Sequence, residues 1–97
     1  NTKVIDVIRE LESFNVKVDI VDPYASPEEV HEEYELTLKD KAESGAYDAV
    51  IAAVNHEDYV NFEEAEFRGL LKGGEGTVID VKGVFRGKTG TLDYWSL

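Results

Sequence analysis

The chain has 97 residues, enough for one domain with a single hydrophobic core. Its net charge of −11 argues against a nucleic-acid partner, because phosphate backbones attract surfaces rich in Lys and Arg. The absence of cysteine argues against disulfides and thiolate metal ligands and is compatible with the cytoplasmic location that we predict. No leader and no apolar run that could cross a bilayer is visible, so we expect neither a signal peptide nor an anchor.

The first segment is predicted to be a helix over residues 2–14, because apolar residues recur there at helical spacing. These residues are Val4, Ile5, Ile8 and Leu11. Thr2 is expected to cap this helix, and Asn15 to take the left-handed conformation that ends it. Residues 16–20 then alternate between apolar and polar, as in a strand, and Pro23 ends that strand because proline cannot continue a sheet.

A short acidic helix is predicted over residues 27–35. Ser26 can cap it, and the proline and acidic residues that follow suit the first turn of a helix. Residues 36–38 are expected to be briefly extended. Residues 39–44 are predicted to form one more helical turn, which Gly45 ends.

The second half of the chain alternates between strand and helix signals. Residues 48–54 are apolar almost throughout, as in a strand buried on both faces, and residues 77–81 predict another strand. Between them, residues 62–72 predict a helix closed by Gly73. This order predicts an α/β, Rossmann-like three-layer fold with a mainly parallel sheet. Because the pattern opens on a helix, we expect the first strand of the sheet to lie before Asn1.

Three common kinds of site are not supported by the residues. Residues 83–89 place three residues between their glycines where a P-loop needs four. The glycines of residues 73–76 follow a helix and precede a strand, the reverse of a dinucleotide fingerprint. His31 with Glu28 and Glu35 is a weak ligand set, so no metal site is predicted. The sequence also offers no convincing nucleophile with a base and an orienting group.

Polar residues follow the predicted strands, where ligands of parallel sheets gather. Lys82 is suited to a phosphate, His56 can donate a hydrogen bond to a ribose, sugar or phosphate oxygen, and Asp22 can accept one from a ribose hydroxyl. Asn55 lies beside His56. A structural role remains open for each: Asp22 in its turn, His56 as a helix cap, and Lys82 as a solvated surface residue.

Charge is distributed unevenly along the chain. Residues 82–97 hold three basic residues against Asp93 alone, a balance of +2, so residues 1–81 carry −13. The basic residues are Lys82, Arg86 and Lys88. A basic segment on an acidic body suits one small anion, and a merely solvated C-terminal segment is the alternative.

Five segments of the chain, in order, are similar to one known family. They are residues 1–8, 21–25, 47–56, 78–83 and 94–97. Together they resemble the C-terminal, UDP-binding domain of the UDP-glucose/GDP-mannose dehydrogenase family. The likeness is strongest to the branch that oxidises UDP-N-acetylhexosamines for bacterial surface polysaccharides, and it covers essentially the whole chain.

The resemblance implies a larger enzyme, of which residues 1–97 form a single substrate-binding domain. In this family an N-terminal domain binds NAD, a helical connector makes the dimer, and the C-terminal domain holds UDP. The C6 alcohol of the sugar becomes a carboxylate in two hydride transfers through a cysteine-linked intermediate. The chain has neither a cysteine nor a dinucleotide fingerprint, so we expect it to be inactive alone. A strand, a Phe-Lys loop and an Arg of the family's substrate site would lie before Asn1.

The resemblance also supports a set of substrate-binding residues. Lys82 and Gly83 occupy the segment where relatives place basic residues near the nucleotide, although some members have Arg in place of Gly83. His56 follows the buried strand, where glucose-type members carry Thr-Glu-Trp. Asp22 matches a strand-end turn of the family. The predicted substrate site is therefore Lys82, Gly83, His56 and Asp22.

Two other functions remain open. The acidic helix at residues 27–35 would suit a non-catalytic interaction module that meets a basic protein partner. A Rossmann-type domain for an adenine cofactor is a further alternative, and the missing glycine fingerprint counts against it.

Overall fold

The computed structural model describes residues 2–53, 56–59 and 61–96, in two compact units, Asn1–Ala42 and Glu43–Leu97. The first unit holds two α-helices, and the second holds a three-stranded sheet with a third α-helix. Within the described ranges, no helix is long and apolar enough to span a membrane.

The opening helix of the first unit, α1, runs over Thr2–Ser13 and confirms the helix predicted from the apolar spacing. Ile8 is buried to 7% exposure on its apolar side. Asn15 has φ 64°, so the predicted left-handed end is confirmed. Thr2 is already a helical residue, so its predicted position as the cap is wrong.

The acidic helix α2 runs over Pro27–Tyr34 and is confirmed with its predicted start. The Ser26 hydroxyl accepts a hydrogen bond from the backbone N–H of Glu29 at 3.3 Å, which satisfies one of the free donors of the first turn. Glu35 at φ 57° ends the helix in the left-handed conformation.

The strand predicted at residues 16–20 is wrong, because the structure contains only a bridge there. Ile20 pairs in parallel with Leu38, and the Lys39 N–H donates to the Ile20 carbonyl at 2.8 Å. Lys39 also forms an ion pair with Asp19 at 3.3 Å. The partner segment is short, lying between the end of α2 and a bend, so no ladder can grow from the bridge.

The second unit is built on a parallel sheet of order β1-β2-β3. Its strands are β1 at Ala49–Ala52, β2 at Thr77–Asp80 and β3 at Asp93–Ser96. Helix α3 at Glu64–Leu70 crosses from β1 to β2, and it is shorter than the helix predicted over residues 62–72. The α/β class with a parallel sheet is confirmed, and so are the strands predicted around β1 and β2. The predicted burial of the first strand on both faces is wrong, because Ala49 and Ile51 are exposed.

Two further elements differ from expectation. Residues 39–44 form bends and turns rather than a helical turn. Ala42 is the only apolar residue in that segment, so a helix there would have no face to bury, and isolated short helices are unstable in water. β3 was not predicted, because its four residues show no buried apolar run.

The core of the second unit lies on one face of the sheet. Its buried members come from all the elements around that face: Ala52, Phe67, Leu71, Val78, Phe85 and Leu92. The rings of Phe67 and Phe85 meet edge to face with their centroids 5.3 Å apart, a favoured aromatic geometry. This core therefore joins α3 to the segment that follows β2.

Candidate functional site

The β2–β3 loop, residues 81–92, leaves the carboxyl end of β2 and returns to start the neighbouring parallel strand. Parallel strands are usually joined through a helix, whereas this connection is made of turns. The Val81 N–H extends the ladder by donating to the Ala52 carbonyl at 2.9 Å. Gly83, at φ 69°, then donates to the Asp80 carbonyl at 3.3 Å, so the chain turns directly after β2.

Asp80 holds the start of this loop to the sheet. Its side chain is fully buried, and Oδ2 accepts from the Phe85 N–H at 2.7 Å and from the Tyr94 hydroxyl at 2.6 Å. The other oxygen, Oδ1, is buried and has no hydrogen-bond partner among the described residues. One carboxylate therefore joins the end of β2, the middle of the loop and β3.

The remainder of the β2–β3 loop is held by packing and by its own turns. The Phe85 side chain is 2% exposed, and Leu92 enters the same core. The Lys88 N–H donates to the Phe85 carbonyl at 3.0 Å, and the Leu92 N–H donates to Thr89 at 3.1 Å. Thr89 is itself buried. The backbone of the loop is thus fixed at its start, middle and end.

Burial is the first cause that raises the pKa of the Tyr94 phenol above its ordinary value of 10.0, and the hydrogen bond to Asp80 adds to it. The tyrosinate would have to lose that hydrogen bond and face a carboxylate. The protonated phenol is therefore the form that the folded protein favours.

We expect Tyr94 to ionise above the ordinary pKa of tyrosine. Because its folded pKa is raised, its contribution to stability is complete below the ordinary tyrosine pKa and is lost as pH rises through the folded value. Ultraviolet titration of tyrosinate checks this, with Tyr94→Phe expected to reduce the high-pH end of the titration curve. If Tyr94→Phe left the high-pH end of the titration curve unchanged, the raised pKa of Tyr94 would be contradicted.

The β2–β3 loop carries three side-chain cations that form no hydrogen bond or ion pair with any part of the chain that the structure describes. They are Lys82, Arg86 and Lys88. Elsewhere in the second unit the cations are paired: Arg68 contacts Glu64 at 2.7 Å and Glu75 at 2.9 Å, and Lys72 lies 3.4 Å from Asp48. In the second unit, the described cations that have no ion pair therefore lie together on one fixed loop, which can offer them to an anion.

The structure places Lys82 and Gly83 together at the turn after β2, with Lys82 exposed. His56 begins a 3-10 helix, His56–Tyr59, that follows β1, so its backbone lies on the carboxyl side of that strand. Its side chain and the whole of Asn55 lie outside the described residues. The ligand roles of Lys82, Gly83 and His56 remain predictions.

Asp22 belongs to the first unit, where its carboxylate completes a turn. Oδ1 accepts from the backbone N–H groups of Tyr24 at 2.9 Å and Ala25 at 3.2 Å. This is the local side-chain-to-backbone bonding for which Asp is favoured in turns. The structure supplies the turn role, and the ribose role of Asp22 remains a prediction.

Two residues of this region were missing from the predicted site. Asp80 was visible as an acid inside an otherwise apolar strand, and buried charges are rare unless they are hydrogen-bonded. Arg86 was counted only as one charge of the basic segment. Its place beside Gly83 depends on the turn, which sequence spacing does not show.

The chain matches a family model over residues 1–87, that of the UDP-glucose/GDP-mannose dehydrogenase family, UDP binding domain. No solved structure matches it. Two relatives are named UDP-N-acetyl-D-glucosamine 6-dehydrogenase. The one from Pseudomonas aeruginosa is 40% identical over 84% of this chain and 19% of its own length. The one from Salmonella typhi is 40% identical over 74% of this chain and 17% of its own length.

A third relative, Protein CapL of Staphylococcus aureus, is 36% identical over 87% of this chain and 19% of its own length. The chain thus spans about a fifth of the length of these relatives. The family model covers nearly all of the chain, including β1, β2 and the first half of the β2–β3 loop. The chain therefore belongs to the UDP-glucose/GDP-mannose dehydrogenase family and corresponds to its UDP-binding domain.

Proposed function

We propose that this chain binds the UDP part of a UDP-sugar within an NAD-dependent UDP-sugar 6-dehydrogenase. This proposal rests mainly on the β2–β3 loop, whose backbone is already fixed and whose three cations have no partner among the described residues. The names of the 40%-identical relatives support a UDP-hexose or UDP-N-acetylhexosamine as substrate. We further propose a role in surface polysaccharide synthesis, a cytoplasmic location and a homo-oligomeric full-length enzyme.

Lys82 is the proposed diphosphate ligand in this function. Its ammonium is a compact charge on a flexible stem, and no described acid competes for it. Because Asp80 and Phe85 already order the loop, binding does not have to immobilise the backbone that carries Lys82. Gly83 is proposed to belong to the substrate site as part of the turn that carries Lys82. His56 is proposed to donate to a ribose, sugar or phosphate oxygen, and Asp22 to accept from a ribose hydroxyl.

The dinucleotide itself does not fit the residues of this chain. A dinucleotide cradle needs a glycine-rich turn that leads from a strand into a helix. The connection after β1 contains no glycine in residues 53–63, and β2 leads into a loop. NAD, which accepts the hydrides when bound, is therefore assigned to another part of the enzyme. This chain binds and orients the substrate, and alone it is expected to be inactive.

Lys82→Ala in the full-length enzyme is expected to weaken UDP-sugar binding by about 1.5–3 kcal/mol, the range for a hydrogen bond to a charged group. Isothermal titration with UDP checks the loss. Lys72→Ala is the matched control, since Lys72 is an exposed lysine of the same unit that pairs with Asp48. Equal affinities for wild type and Lys82→Ala would remove Lys82 from the site.

Turnover of the full-length protein tests the whole proposal. With NAD and a UDP-N-acetylhexosamine or UDP-hexose, two NADH per sugar and a carboxylated product are expected, because an alcohol becomes a carboxylate in two oxidations. A well-folded protein that neither turns over nor binds any UDP-sugar would favour the interaction module with the acidic helix α2. Tight, saturable ADP binding by this chain would favour the adenine-cofactor alternative.

A further inference from the structure

The Arg86 guanidinium lies directly against Gly83. A Cβ atom placed on Gly83 would be 3.3 Å from Nε, 3.5 Å from Nη2 and 3.8 Å from Cζ of Arg86. A side chain at position 83 would therefore press on the guanidinium, and the φ of 69° would strain it as well. Any other residue at position 83 would require the guanidinium to shift by a few tenths of an ångström and would be strained by the positive φ.

Arg86 also lies close enough to the sheet edge for its charge to act on Tyr94. Its positive charge lowers the pKa of Tyr94 against the larger raising effects of burial and of Asp80. Tyr94 donates to Asp80 at the carboxyl end of β2, so Arg86 carries its charge to that edge. Asp80 does not neutralise it, since no ion pair joins the two among the described residues.

We propose that Arg86 is a second ligand of the diphosphate, beside Lys82, and that Gly83 is required because it seats the Arg86 guanidinium over the turn. The inference rests on the proposed function and adds to it a preference for a nucleoside diphosphate over a monophosphate. Lys82 is the chain neighbour of the residue that Arg86 covers, so both cations leave the same turn. Lys82 supplies a compact positive charge, and Arg86 supplies a planar guanidinium with several N–H donors.

The chemistry of the two side chains fits a diphosphate better than a single phosphate. A guanidinium donates two parallel hydrogen bonds to phosphate oxygens, whereas an ammonium acts as a single charge. Two adjacent phosphoryl groups can occupy both cations at once. A monophosphate can occupy one of them fully, so losing Arg86 costs it less.

The test compares UDP with UMP on the full-length enzyme by isothermal titration. Arg86→Ala is expected to raise the Kd for UDP by about tenfold or more, in line with the loss of a charged hydrogen bond, and to raise the Kd for UMP by less. Arg86→Lys is expected to recover part of the loss, because it keeps the charge without the fork. Lys72→Ala, an exposed lysine of the same unit that pairs with Asp48, is the matched control.

A double-mutant cycle tests whether Gly83 positions the Arg86 guanidinium. Gly83→Ala is expected to weaken UDP binding while Arg86 is present and to add little in the Arg86→Ala background, because the side chain acts by displacing the guanidinium. If Gly83→Ala weakened UDP binding equally with and without Arg86, the proposed role of Gly83 in positioning Arg86 would be refuted. The circular dichroism of each variant is compared with wild type, and Arg86→Ala, at an exposed position, tests the ligand role even where Gly83→Ala misfolds.

The outcomes separate this inference from the proposed function. If Lys82→Ala weakens UDP binding and Arg86→Ala does not, the role of Arg86 is refuted while the UDP site stands. If Arg86→Ala raises the Kd values for UDP and UMP by the same factor, the diphosphate preference is refuted. If the wild-type enzyme binds no UDP, the proposed function fails first.

Discussion

Replacing Asp80 with alanine is expected to lower the free energy of unfolding by about 2–6 kcal/mol. The change leaves two donors without an acceptor, the Phe85 N–H and the Tyr94 hydroxyl, and each unsatisfied buried group costs about 1–3 kcal/mol. Urea unfolding of the chain, followed by the fluorescence of Trp95 on β3, measures the loss. Trp95 is the single tryptophan of the chain, so the signal reports on the strand next to β2.

Asp93→Ala is the matched control for Asp80. Asp93 is an exposed acid on β3 whose carboxylate accepts only from the exposed Thr77 hydroxyl at 3.2 Å among the described residues. Its loss is expected to change stability by no more than about 0.5 kcal/mol, as is usual for surface positions. Asp80→Asn, which keeps one oxygen in place, is expected to fall between the two. Equal stability in Asp80→Ala and Asp93→Ala would show that the buried carboxylate does not hold the loop.

The same substitution connects stability to binding. Without Asp80 the first half of the β2–β3 loop loses its hydrogen bond to the sheet, and Lys82 and Arg86 lose their fixed starting point. UDP affinity is therefore expected to fall in Asp80→Ala under conditions where the protein is folded. In Asp93→Ala it is expected to remain near wild type, because that side chain holds no part of the loop.

The elements that the sequence predicted correctly are those with local signals. Helix α1 has an apolar stripe, and α2 has Ser26 and Pro27 at its start, so neighbouring residues determine both. β1 and β2 are short apolar runs between turns, which already suggests a buried parallel sheet. Their class and approximate position follow without knowledge of any distant contact.

The elements that were missed depend on partners far along the chain. β3 is a strand because Asp93–Ser96 pairs with β2, and its own sequence has an acid and a serine at the ends. The pair Tyr94-Trp95, with its high strand propensity after the glycine turn, was the available signal. Residues 16–20 show the opposite error: they have the alternating pattern of a strand, but the structure gives them only a single bridge instead of a neighbouring strand. A period of two marks a strand only where a neighbour exists to complete the ladder.

The residues of the candidate site also fall into those with a local signal in the sequence and those that depend on contacts made by the fold. Lys82 was predicted because ligands gather beyond the carboxyl ends of parallel strands, a rule that needs only strand boundaries. Gly83 was predicted from the family resemblance, and both ligand roles remain predictions. Arg86 was not found, because its contact with Gly83 exists only once the chain has turned at a positive φ. Asp80 needed the Tyr94 hydroxyl, which comes from a strand that was itself unpredicted.

Phe85→Ala is expected to lower the free energy of unfolding by about 3–5 kcal/mol and also to weaken UDP binding. The Phe85 ring is 2% exposed and packs against Phe67, so its removal leaves a cavity of the kind that costs this much. Its backbone N–H is the group that Asp80 holds, and Arg86 is its chain neighbour. The loss of the ring therefore frees the loop as well as weakening the core, and urea unfolding and UDP titration measure the two effects separately.

Phe67→Ala is the control that separates packing from positioning. Phe67 is 1% exposed in the same core, and its replacement is expected to cost a similar 3–5 kcal/mol. Phe67 lies on α3 and only its ring contacts the loop, through Phe85. The UDP affinity of Phe67→Ala should therefore fall less than that of Phe85→Ala at a temperature where both variants are folded. Equal losses of affinity would mean that binding follows overall stability and that the β2–β3 loop needs no anchoring by Phe85. A selective loss in Phe85→Ala would mean that the core fixes the cations in place, which is how an acidic domain can hold an anion with so few basic residues.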